Sequence, residues 1–107
     1  MYFNIESVRR KDMFYVSTTW KHENEINNEK MQKLLASFKG TNPNVKEVHW
    51  WKIDNFTHGA LVIYKSEAGY LESKEIHEKA REESSKEVST TMIREEVGNQ
   101  LAFLENN

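Results

Sequence analysis

VHWWKIDNFTHGALVIYK, residues 48–65, is the most informative stretch of the chain. It holds two of the chain's three tryptophans, two of its four histidines and a tyrosine. On both sides of Asp54-Asn55 the chain alternates, and it is rich in the β-branched and aromatic residues that suit a pleated surface. VKEVHWWKI (45–53) and HGALVIYK (58–65) therefore read as two strands, joined through Asp54, Asn55, Phe56 and Thr57 into an antiparallel hairpin. Alternation separates Val45, Glu47, His49, Trp51 and Ile53 from Lys46, Val48, Trp50 and Lys52. In the partner strand it separates His58, Ala60, Val62 and Tyr64 from Gly59, Leu61, Ile63 and Lys65. Both faces carry apolar groups, so both are expected to be at least partly covered.

Before this hairpin, DMFYVSTTW (12–20) reads as a strand, with Phe14, Val16, Thr18 and Trp20 on one face. KHENEIN (21–27) reads as a polar loop. INNEKMQKLLASFKG (26–40) has Met31, Leu34, Leu35 and Phe38 at helical spacing, Asn27 as N-cap, Ile26 placed to staple against Met31, and Gly40 and Pro43 to end it. SEAGYLESKEIHEKAREESSKE (66–87) reads as one long helix capped by Ser66. Its narrow stripe is Ala68, Leu71 or Glu72, Ile76 and Ala80, and Glu75–Lys79 and Glu82–Lys86 are spaced as ion pairs. VSTTMIREEV (88–97) is expected to be a fourth strand that Gly98 ends. Residues 98–107 form a tail whose Leu101, Phe103 and Leu104 must bury on the sheet or on a second subunit. Residues 1–11 offer a possible extra strand.

The 107 residues suit one domain, residues 1–107, with a thin core: 37% of them are hydrophobic and 30% charged. Small domains of this kind often bury further apolar area by oligomerising. The net charge of -2 is spread over interleaved signs, and Arg9-Arg10-Lys11 is the densest basic run. Neither nucleic acid nor an anionic membrane is an expected partner. With no cysteine, thiolate nucleophiles, disulfides and Cys-based metal sites are excluded. No window approaches the ~18 apolar residues of a membrane span, and the N-terminus lacks a secretory pattern. A soluble, cytoplasmic protein is expected.

The element order β-α-β-β-α-β is the split βαβ, or ferredoxin-like, motif: a four-stranded antiparallel sheet with two helices on one face. The other face is then bare but still apolar, and a second copy would cover it. In that order, in its size, and in SEAGYLESKEIHEKAREE with His77 partway along, the chain resembles the dimeric α/β-barrel superfamily. The resemblance implies a homodimer in which two sheets close a barrel. It also implies a pocket between helices and sheet, as in the superfamily's cofactor-free oxygenases, isomerases and ligand-binding members. Haem-degrading members pair the helix histidine with an asparagine on the first strand and a tryptophan on the third. This chain has no asparagine from Met13 to Trp20 and no tryptophan from His58 to Lys65. Haem is therefore not implied, and no cofactor is expected.

Histidine exchanges protons near neutrality, so His77, His58 and His49 are the candidate catalytic residues. Trp20, Trp50, Trp51, Tyr64 and Tyr70 are the candidate ligand-binding residues. Trp50 and Trp51 must point to opposite faces, one toward the helices or a cavity and the other toward a dimer interface. The four histidines show no paired ligand spacing, so no metal site is expected. No phosphate loop or serine-nucleophile motif occurs either. The expectation is a homodimer that binds a small apolar or aromatic molecule between sheet and helices. One alternative is a cofactor-independent monooxygenase or isomerase acting on an aromatic or lactone-like substrate. Another is a pure assembly module.

Overall fold

The alternating segments pair as expected, and their long-range register decides which side of each strand is inside. A computed structural model describes residues 12–106. Its elements are β1 (Phe14–His22), α1 (Asn28–Ala36), β2 (Val45–Asp54), β3 (Thr57–Tyr64), α2 (Glu67–Glu72), α3 (Lys74–Val88) and β4 (Thr90–Asn99). The fold is α+β. One antiparallel sheet runs in the order β2-β3-β1-β4, with helices packed on it. The extra strand expected within residues 1–11 lies outside the described residues.

The hairpin pairs Trp50 with Ala60 and Trp51 with Gly59, and the Phe56 N–H donates to Asp54 Oδ1 at 2.8 Å to close its loop. The pairing shifts between Val45 and Glu47 and again between Lys52 and Asp54. β1 shifts against β4 between Thr19 and Trp20. Such bulges re-aim side chains locally. The helix-facing side carries the core: Phe14, Val16 and Tyr64, with Val45, Val62 and Tyr70 packed around them. On the outer side the Trp51 indole lies across the backbone of Gly59. A Cβ added at Gly59 would stand 2.2 Å from Trp51 Cζ2, so only glycine allows this approach.

Helix α1 starts as its sequence suggests, with the Lys30 N–H donating to the Asn27 side chain at 3.0 Å. It ends at Ala36, earlier than Gly40 would place its end. The following turns bond Ser37 Oγ to Leu34 O and Thr41 Oγ1 to Phe38 O. α1 approaches the sheet less closely than α2 and α3 do.

The single helix expected over residues 66–87 is two helices, broken at Ser73. The inward positions are Gly69, Ser73 and His77, one turn apart, while Leu71 and Ile76 of the expected stripe are exposed. The break is a polar docking site. Ser73 Oγ accepts from Asn44 Nδ2 at 2.8 Å and donates to Asn42 Oδ1 at 3.0 Å. Gly69 sits against Asn44, whose atoms would lie 3.1–3.2 Å from any added Cβ. A buried hydroxyl must be partnered, and satisfying it outweighs burial of two aliphatic side chains that stay accessible.

The last strand starts later than expected. Val88 is still helical, and Ser89 takes the left-handed conformation (φ 50°, ψ 66°) that ends α3. β4 then runs from Thr90 through Gly98, which does not end it, to Asn99. Beyond it the Gln100 N–H donates to Met13 O at 2.8 Å and Tyr15 donates to Gln100 Oε1 at 2.7 Å. Leu101 and Leu104 of the irregular tail are almost fully exposed. Among the described residues, no helix is long and apolar enough to cross a membrane.

Candidate functional site

Because α1 stands off the sheet, a cavity of about 720 Å³ opens between the sheet and the helices. Val16 and Thr18 of β1, Ala60 and Val62 of β3, Leu35 and Phe38 of α1 and Ile76 of α3 form its walls. The exposure of Ile76 is in part exposure to this space. The volume falls within the range of small-molecule pockets, ~300–1,000 Å³.

Polar groups meet at its two ends, separated along β3 by the six steps from His58 to Tyr64, roughly 20 Å at strand rise. At one end His22 Nε2 and His58 Nδ1 are 2.7 Å apart, and both residues are buried. Trp20 lies nearly parallel to the His58 ring, with centroids 6.3 Å apart, and the Trp50 ring lies 5.4 Å away. Burial, and secondarily the neighbouring His22, pulls His58 down to about 4; burial lowers His22 as well. Both rings are therefore neutral near pH 7, and one donates its proton to the other.

At the other end Tyr64 OH and His77 Nδ1 are 2.5 Å apart. Burial pushes Tyr64 up to about 12. Burial first, then the Arg81 guanidinium, pulls His77 down to about 4, with Glu95 acting in the opposite direction. Both groups are uncharged at neutral pH, and their hydrogen-bond roles follow from the surroundings. The Asn44 backbone N–H donates to Asn42 Oδ1 at 3.1 Å, which fixes that amide's oxygen. The Asn42 nitrogen therefore faces Tyr64 OH, at a long 3.5 Å. The phenol accepts there and donates to His77 Nδ1, so His77 carries its proton on Nε2. That nitrogen is buried and has no hydrogen-bond partner among the described residues.

The structure brings together Trp20, Trp50, His58, Tyr64 and His77 around one cavity. It does not bring the other candidates there. His49 is exposed and bonds Glu47 at 3.0 Å; it follows Val48 and precedes Trp50, both of which face the cavity. Trp51 covers the outer side. Tyr70 stacks on Phe14 (centroids 4.8 Å apart) and meets Tyr64 edge-on, behind the cavity wall. Sequence reasoning missed His22, Asn42, Asn44 and Ser73. For His22 a signal existed: the alternation of Phe14, Val16, Thr18 and Trp20 continues into it, past the assumed start of the loop. The other three gave none. Among the described residues no group of three or more His, Asp or Glu could hold a metal ion.

No protein-family model matches the chain, and no curated protein matches it in sequence. Among solved structures the chain is similar to the crystal structure of the NE2512 protein of unknown function from Nitrosomonas europaea. The two share 14% identity over 91% of this chain and 98% of that one, with a TM-score of 0.56. That likeness is one of fold: a small α+β domain built on a four-stranded antiparallel sheet.

Proposed function

We propose that this chain is a ferredoxin-like protein that pairs with a second copy through the outer face of its sheet and holds a small apolar or aromatic molecule in the cavity between sheet and helices. The cavity carries the reading. It combines apolar walls, two tryptophans at one end and a few inward polar groups, the usual make-up of a ligand site. A pure assembly module has no use for such a space, which costs packing energy if nothing fills it. For the pairing, the support is exposed apolar surface: Trp51 on the outer side, Ile53 and Ile93 in the two edge strands, and the bare Leu101 and Leu104 of the tail.

The test is titration with 1-pyrenemethanol, a neutral aromatic probe, followed by tryptophan fluorescence, alongside sedimentation at micromolar concentration. Saturable binding of one probe per chain is expected, weakened by Val62→Trp, which fills the cavity, in a variant checked for native circular dichroism. Absence of binding to the native protein would refute the ligand reading, and a monomer would refute the pairing.

A second reading has its own support. His58 lies beside two aromatic rings and is unprotonated at physiological pH, so it can serve as a weak general base toward an acidic aromatic or lactone-like substrate. That is the first step of a cofactor-independent isomerase or monooxygenase. Turnover that survives both His58→Gln and His77→Gln would rule it out.

A further inference from the structure

Resting on the reading of the cavity as a ligand site, we infer that His22 and His58 act as a hydrogen-bonding couple whose outer atom, His58 Nε2, holds the polar edge of a neutral aromatic ligand. That edge is a ring hydroxyl or a ring N–H, and it lies beside Trp20 and Trp50. His58 lines the cavity and is only 6% exposed. Its Nδ1 is taken up by His22, which lies outside the cavity lining. Nε2 is the ring nitrogen farther from the backbone, and strand side chains stand roughly perpendicular to the sheet, so Nε2 rises on the helix side. It has no hydrogen-bond partner among the described residues, and it is not shut away as His77 Nε2 is. The Trp20 Nε1–H beside it is already engaged with Thr18 Oγ1 at 2.7 Å. A reachable, unpartnered nitrogen on a buried side chain in a ligand-sized space is a ready hydrogen-bonding point.

Charge and proton bookkeeping set what that point holds. The charged residues of the lining belong to the other end. Lys65 follows Tyr64, Lys46 follows Val45, which pairs with Tyr64, and Glu47 pairs with Ile63. Lys39 begins the turn leading to Asn42, and Arg81 acts on Tyr64 and His77. The end formed by Trp20, His58 and Trp50 offers no countercharge, so a charged group there would be buried unpaired; the ligand's polar edge is neutral. His22 Nε2 and His58 Nδ1 share one hydrogen. When His22 donates it, His58 carries its own proton on Nε2 and donates to the ligand. When His58 donates it, Nε2 presents a lone pair and accepts. His22 Nδ1 is likewise unpartnered among the described residues and not shut away, so water can supply or remove the proton that this change requires. A hydroxyl fits both states, a ring N–H fits the second, and a methyl group fits neither. His22 is thus a positioning residue, which fixes the His58 ring and its proton without meeting the ligand.

Two probes of nearly one shape test this: 2-naphthol and 2-methylnaphthalene, titrated by calorimetry against the intact chain at pH 7.5, where both are neutral. In a cavity without a polar partner the more hydrophobic methyl compound binds tighter. Here the naphthol is expected to bind about fivefold tighter, and His58→Phe should reverse the order. His22→Leu should shrink the preference, and His22→Gln, which can still donate and accept, should keep it. In the native protein, the His58 Nε2 resonance should move much further with the naphthol than with the methyl compound, which reads the contact without any substitution. Equal binding, a preference for the methyl compound, a preference that survives His58→Phe, or an unmoved His58 resonance overturns the inference while the ligand reading stands. A preference untouched by His22→Leu overturns the role given to His22. Failure of the native chain to bind either probe or 1-pyrenemethanol removes the ligand reading, and this inference with it.

Discussion

His22 Nε2 and His58 Nδ1 lie 2.7 Å apart inside the protein, two buried rings contributed by neighbouring strands and sharing one proton. Trp20 and Trp50 pack against His58, and a positive charge there would have no partner. With His77 at the far end of the cavity, three of the four histidines are buried and held neutral.

Stability should therefore fall in mild acid. The folded values of His58 and His77, about 4, lie below the ordinary histidine value of 6.5, so the unfolded chain takes up protons first as pH drops. The contribution is complete above about pH 6.5 and is lost as pH falls toward about 4. At pH 5, above the carboxylate range, the loss is about 2 kcal/mol for each of these two histidines. Urea unfolding at pH 7.5 and pH 5.0 checks it: a midpoint that does not move between them contradicts the buried, neutral assignment.

Removing the hydroxyl in Tyr64→Phe leaves His77 Nδ1 and the Asn42 amide without their shared partner. The expected cost is about 1–3 kcal/mol in urea unfolding, with no change in helix content by circular dichroism. A variant as stable as the native chain would mean that the pair carries no structural weight.

Gly59→Ala places a methyl group where the Trp51 indole lies. The ring must swing outward or the hairpin must shift, for a loss of about 1–3 kcal/mol. Pairing the change with Trp51→Ala should recover most of it. A double-mutant cycle reads the coupling directly, and strict additivity would show that the two residues do not meet.

Ser89 ends α3 in the left-handed conformation that glycine adopts without strain. Ser89→Gly is expected to stabilise the chain by about 0.5–1 kcal/mol, seen as a rise of a few degrees in Tm. A lower Tm would show that the serine side chain contributes more than the strain costs.

Much of this architecture is legible in short stretches. The hairpin, the preceding strand and helix α1 with its Asn27 cap each follow from a period or a cap within a dozen residues. The break in the long helix is not legible, because Leu71 and Ile76 look like a stripe, while the inward face is the small and polar set Gly69, Ser73 and His77. Its hydrogen-bond partners, Asn42 and Asn44, lie about thirty residues earlier in the chain. No local period records such a pairing.

Alternation along β2 is enough to send Trp50 and Trp51 to opposite sides, because successive side chains of a strand cannot share a face. That Trp50 faces the cavity and Trp51 the outer side follows from long-range packing, because it depends on which side of the sheet the helices cover. The same holds for the chemistry. His22 meets His58, and Tyr64 meets His77, through sheet pairing and helix docking. Their burial, and so their charge state, exists only once those distant segments have closed around them.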